Sequence, residues 1–187
     1  MRARGVLPVL ILLPLLSAAE AKEPPEGWKE FQPKDKSFSV WLPDKGARRT
    51  ERQRSIPLQG QSIKINVVQV QVKGSPTYSA VTLVLPSALA RKIPQEDRLE
   101  ILSDAFLAEI KGKVTDETTI KQGRAAGKDY QIKTAKGRAR LRVFALGGHL
   151  YQAAVAGSKE QVESREADAF LESYKLADAA TGKRKGQ

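Results

Sequence analysis

The chain has 187 residues, with 32 Lys and Arg against 21 Asp and Glu, a net charge of +11, a single histidine and no cysteine. The missing thiols exclude disulfide staples, thiolate zinc sites and cysteine nucleophiles, and one histidine excludes a His-rich metal cluster. The basic balance suits an anionic partner such as lipid, cell-wall polymer or nucleic acid, and it equally suits simple solubility.

Residues 1–21 have the layout of a secretory signal peptide. Arg2 and Arg4 form a positive start, residues 6–16 an apolar run interrupted by Pro8 and Pro14, and Ala19-Glu20-Ala21 a small-x-small cleavage site. Cleavage is expected after Ala21. The alternative is an uncleaved membrane anchor, but the apolar run is well short of the ~20 residues needed to cross a bilayer. No cysteine stands near the site, which excludes a lipoprotein anchor. Removal of 21 residues leaves 166, enough for one domain with its own core. The leader holds one net positive charge in Arg2, Arg4 and Glu20, so the remainder stays at +10.

Residues 22–27 read as a polar lead-in, and a single domain is expected over 28–176. Trp28 to Phe31 is a short strand. Phe38, Val40 and Leu42 alternate along a second strand, with Trp41 on its other face and Pro43 as its stop. Residues 50–57 form an edge strand whose arginines discourage edge-to-edge pairing. Residues 62–73 form a long strand in which Ile63, Ile65 and Val67 give way to Val68, Val70 and Val72. That slip of phase predicts a bulge or strong twist at Val67-Val68. Residues 77–85 are apolar on both faces, as in a central strand covered on both sides, and residues 86–92 are a connection.

Pro94 opens a helix over residues 94–111, with Glu96 and Asp97 in its first turn. Leu99, Leu102, Phe106 and Ile110 form its apolar stripe, and Gly112 is its C′ residue. Strands follow at 113–122 and 125–135. In the next strand Leu141, Val143 and Ala145 alternate with Arg138, Arg140 and Arg142. A three-residue loop, Gly147-Gly148-His149, is expected to set Tyr151, Ala153 and Val155 opposite Ala145, Val143 and Leu141, apolar against apolar. Ser158 and Gln161 have capping-box spacing and open a second helix over 158–174, anchored by Phe170 and Tyr174. Residues 177–187 are a small, polar, basic tail, expected to be disordered.

Three local patterns carry a family resemblance: Phe38-Ser39-Val40-Trp41-Leu42-Pro43, Leu150-Tyr151-Gln152, and Phe170-Leu171-Glu172-Ser173-Tyr174-Lys175-Leu176. With the order of elements, they resemble the PsbP-like fold family, named for an extrinsic photosystem II subunit and including small secreted bacterial proteins of unknown function. The resemblance covers most of residues 28–176. It implies an α-β-α sandwich and a non-catalytic binding or assembly role. PsbP helps retain calcium and chloride in photosystem II, and a eukaryotic relative binds a Ran GTPase. No ligand or partner motif of either is present to carry over.

The fold class expected is therefore α+β: an antiparallel sheet of six to eight strands with two main helices, preferably on both faces and alternatively on one. The search for chemistry assigns no catalytic, cofactor or metal residue. His149 is a turn residue, the acids are scattered over solvated faces and a helix start, and no P-loop, dinucleotide fingerprint, nucleophile elbow or calcium loop occurs. One basic constellation stands out. With Lys136-Gly137 as a two-residue turn, Lys133 lies opposite Arg140 and Gln131 opposite Arg142. Lys133, Arg138, Arg140 and Arg142 then form a candidate anion-binding patch, whose bland counterpart is a solvated face salt-bridged to helix carboxylates. The expected function is an exported, non-enzymatic binding or assembly protein with an unknown protein partner. The alternative is a protein that associates with a polyanion or a membrane surface through the basic face, and an unrecognised enzyme is the third reading.

Overall fold

The computed structural model describes residues 23–177. The leader expected at 1–21 and all but the first residue of the tail expected at 177–187 lie outside the described residues. In chain order the elements are β1 (Trp28–Phe31), β2 (Phe38–Pro43), β3 (Ala47–Leu58), β4 (Gln61–Val72), β5 (Thr77–Val84), α1 (Ser87–Lys92), α2 (Gln95–Ile110), β6 (Lys113–Gln122), β7 (Ala125–Thr134), β8 (Gly137–Leu146), β9 (His149–Gly157), α3 (Lys159–Val162), α4 (Arg165–Ser173) and β10 (Lys175–Leu176). Seven strands make one antiparallel sheet in the order β3-β4-β5-β9-β8-β7-β6, and β1, β2 and β10 make a small second sheet.

Both faces of the large sheet are covered. On one face α1 and α2 bury Leu89, Leu99 and Leu102 against Ile65, Val81, Leu83, Leu141, Val143 and Leu150. On the other, α4 and the small sheet bury Val40, Phe170, Leu171 and Tyr174 against Val70, Tyr78, Phe144, Tyr151 and Val155. Two of the motif stretches meet in this second core. Tyr78 lies 5.2 Å from both Trp28 and Phe170, and Phe38 lies 5.0 Å from Tyr174, ring centre to ring centre. The Trp41 N–H donates to Ser173 Oγ at 2.9 Å, tying β2 to α4. Gln122 clamps β10 from the edge strand, donating to the Tyr174 carbonyl and accepting from the Leu176 N–H, each at 2.7 Å. Burial pushes the Tyr78 phenol up to about 12, with Glu166 adding to the effect.

Several expectations are corrected. β4 is regular: its pairing to β3 and β5 continues without a shift through Val67 and Val68. Its apolar residues change face because the cover changes. Ile63, Ile65 and Val67 meet the α2 layer, whereas Val68 and Val70 meet the α4 layer. The irregularity in the sheet is instead in β6, between Val114 and Asp116. Residues 87–92, expected as a connection, form α1. The helix expected over 158–174 is two helices. The capping box at Ser158 is present, but Ser164 caps a second start by accepting from the Ala167 N–H at 3.2 Å. At the end of α2 the left-handed residue is Lys111, with φ 50°, one residue before the glycine. Gly112 is needed for room: a Cβ there would lie 2.6 Å from Ile132 Cγ2.

The β8–β9 hairpin has a two-residue loop, Gly147-Gly148, with Gly147 at φ 60°. Arg140 and Arg142 therefore lie opposite Val155 and Ala153, the register that alternation argued against. Alternation selects a register only for a strand with one apolar face. In fact β9 is buried on both faces, Leu150 and Ala154 in one core and Tyr151, Ala153 and Val155 in the other, so its pattern does not select a register. The β7–β8 turn is also displaced. Lys133 lies opposite Arg138, Gln131 opposite Arg140, and Asp129 opposite Arg142.

Candidate functional site

The expected anion patch is a set of ion pairs. Arg138 meets Glu163 at 2.9 Å, Arg140 meets Asp168 at 2.5 Å, and Arg142 Nε donates to Asp129 at 2.5 Å while its Nη1 donates to the Leu171 carbonyl at 3.0 Å. Glu163 follows α3, Asp168 and Leu171 belong to α4, and Asp129 belongs to β7, so these arginines fasten the closing helices to the sheet. Lys133 stays exposed at the end of the row. The correction has a simple origin. The displaced β7–β8 register brings an acid into the row, and α4 lies over the face expected to be open. His149, expected in the turn, is instead the exposed first residue of β9, and its ring stacks near Tyr151. Among the described residues, no group of three His, Cys, Asp or Glu side chains is placed to hold a metal ion.

The more informative site lies on the other face. Helix α2 packs on β7, β8 and β9, and the sheet extends past it through β5, β4 and β3. The uncovered corner is a cleft of about 360 Å³, within the range of small-molecule sites. Leu102, Ala105, Phe106, Glu109 and Ile110, one stripe of α2 by their spacing, form one wall. Ile65, Val67 and Val81 line it from the sheet, with Thr77 and Ser79 supplying hydroxyls. Arg54 reaches across the mouth to Glu109 at 3.2 Å, joining β3 to α2. Arg52 Nη2 donates to Gln69 Oε1 at 3.1 Å and has no carboxylate partner among the described residues.

One row of this cleft runs straight across four strands. Arg52 pairs with Val67, Val67 with Val81, and Val81 with Gln152. All four line the cleft. Gln152 is 4% exposed and hydrogen-bonds through its side chain to no described residue. Its amide is not among the fully buried unpartnered groups, so the polar surface it keeps is open to the cleft it lines. In the sequence the α2 stripe reads wholly as core, whereas Phe106 and Ile110 are only half-buried. The signal that points to the cleft is the set of polar residues Gln69, Ser79 and Gln152 on otherwise apolar strand faces.

These features define a class: an antiparallel α+β domain with helices on both faces of a seven-stranded sheet and an open corner where the sheet outreaches its helix. No protein-family model matches the sequence, and no curated protein matches it. The fold is PsbP-like. The solution structure of cyanobacterial PsbP (CyanoP) from Synechocystis sp. PCC 6803 superposes with a TM-score of 0.55 over 87% of this chain and 99% of that chain, at 11% identity. Among the described residues, no helix is long and apolar enough to cross a membrane.

Proposed function

We propose that the protein is an exported, non-enzymatic binding protein, built as a PsbP-like α-β-α sandwich, and that the cleft between α2 and the β3–β5 corner holds its ligand. The observation that carries this reading is Gln152, an amide 4% exposed that lines a largely apolar, small-molecule-sized space and whose side chain hydrogen-bonds to no described residue. The lining also favours binding over chemistry. Among the described residues it offers guanidinium, amide and hydroxyl groups, and their one carboxylate, Glu109, is engaged by Arg54. Export is supported by the charged start, apolar run and Ala19-Glu20-Ala21 site, and its test is an exported protein whose first residue is Lys22.

Native mass spectrometry of the protein from the exported fraction tests the binding reading. A small-molecule adduct is expected on the wild type and not on Ala105→Trp, which fills the cleft from the α2 wall. An adduct that persists in the variant places the ligand elsewhere. A wild-type protein recovered from its native source without any adduct removes the reading.

A further inference from the structure

The cleft has chemically distinct ends, and these constrain what enters it. The row Arg52–Val67–Val81–Gln152 begins at the exposed edge strand β3 and ends on the central strand β9. Adjacent strands lie about 4.8 Å apart, so the backbone positions of Arg52 and Gln152 are separated by about 14 Å. Between them in that row stand the two valines, with Gln69 and Ser79 in the neighbouring row, and the α2 wall adds Leu102 and Phe106. A complementary ligand is therefore elongated, polar at both ends and apolar in the middle.

The mouth carries two guanidinium groups and one carboxylate. Glu109 balances Arg54, whereas among the described residues Arg52 is held only by the neutral amide of Gln69. A guanidinium receives a carboxylate with two parallel N–H bonds, and one bound monoanion balances the mouth. A dianion would add charge beside Glu109, which disfavours it. At the other end Gln152 offers both a donor and an acceptor. Because no described residue uses either, a ligand hydroxyl or carbonyl can satisfy what the fold leaves open.

Resting on the reading of this cleft as the ligand site, we propose that it takes an elongated amphipathic carboxylic acid. The carboxylate lies at Arg52, the apolar chain lies on Val67 and Val81 beneath Leu102 and Phe106, and a terminal hydroxyl or carbonyl bonds to Gln152. Specificity divides between the ends. Arg52 selects the acid, and Gln152 distinguishes a chain with a polar terminus from a plain hydrocarbon.

Calorimetric titration of the full chain with 10-hydroxydecanoate, decanoate and 1-decanol tests this. The hydroxy acid should bind tightest. Arg52→Gln should weaken both acids by about tenfold or more, as loss of a charge-assisted hydrogen bond does, and leave 1-decanol unchanged. Gln152→Leu should erase the advantage of the hydroxy acid over decanoate. Gln152→Met is the second variant, so that one variant failing to fold does not void the test. Equal binding of the acid and the alcohol, both blocked by Ala105→Trp, overturns the acid assignment while leaving the cleft a binding site. An unchanged hydroxy-acid advantage in both Gln152 variants overturns the amide's role. No binding of either acid at millimolar concentration overturns the inference, and the adduct experiment then decides separately whether the cleft binds anything.

Discussion

Arg142→Met tests whether the arginine row is structural. The change keeps most of the aliphatic stem and removes the guanidinium. It deletes the bond to Asp129 at 2.5 Å and the bond to the Leu171 carbonyl at 3.0 Å, and it leaves the Asp129 carboxylate without its partner. The Arg142 side chain is 22% exposed and that of Asp129 14%. Breaking a buried pair from one side costs about 3–5 kcal/mol, and a fully exposed pair contributes about 0–1 kcal/mol. With less than a quarter of each side chain in water, the loss should be about 2–3 kcal/mol. For a urea slope of roughly 2 kcal/mol/M, the unfolding midpoint falls by about 1–1.5 M with the slope unchanged. Arg142→Met combined with Asp129→Leu should recover most of the loss, because no charge is then stranded. A single-variant midpoint within about 0.2 M of wild type would show that the arginine is hydrated and loosely held, and would refute the account of α4 as clamped through this row.

Three further outcomes follow from the packing. Phe170, the fully buried anchor of α4 against Tyr78, should cost about 3–5 kcal/mol as Phe170→Ala, and a loss below about 1 kcal/mol in a denaturant titration would mean that α4 does not seat as described. A Cβ on Gly137 would lie 2.1 Å from the Gly157 carbonyl oxygen, so Gly137→Ala should destabilise by about 1–3 kcal/mol through backbone displacement, with wild-type stability counting against the close approach of β8 and β9. The Tyr78 phenol is raised to about 12 in the folded protein from an ordinary value near 10. The unfolded chain thus releases its proton first, and stability falls as pH rises from about 10 to 12. Tyr78→Phe should flatten part of that fall in urea midpoints measured across the window. Tyr130 and Tyr174, raised by burial in the same direction, retain the rest, and an unchanged profile would contradict the burial of the phenol.

The order of elements was legible in the sequence because it rests on local rules. Alternation located the strands, and Pro94 with the acids behind it located the start of α2. The Ser158–Gln161 spacing located a real cap, and Arg-rich residues 50–57 located an edge strand. The PsbP-like fold was legible too, through Phe38 to Pro43 and Phe170 to Leu176, whose aromatic residues share one core. The rest depended on partners distant in the chain. Phase alone could not say that the two halves of β4 are covered by different layers, nor choose a register for β9, which is buried on both faces. Arg138, Arg140 and Arg142 shared a face as their alternation required. Whether they served an anion or the fold was decided by Glu163, Asp168 and Asp129, which the helices and the displaced hairpin bring to them. The cleft row is the same case: Arg52, Val67, Val81 and Gln152 are unremarkable in their own strands. They become a cation, an apolar span and a cleft-lining amide in one line only when four antiparallel strands fix their registers together.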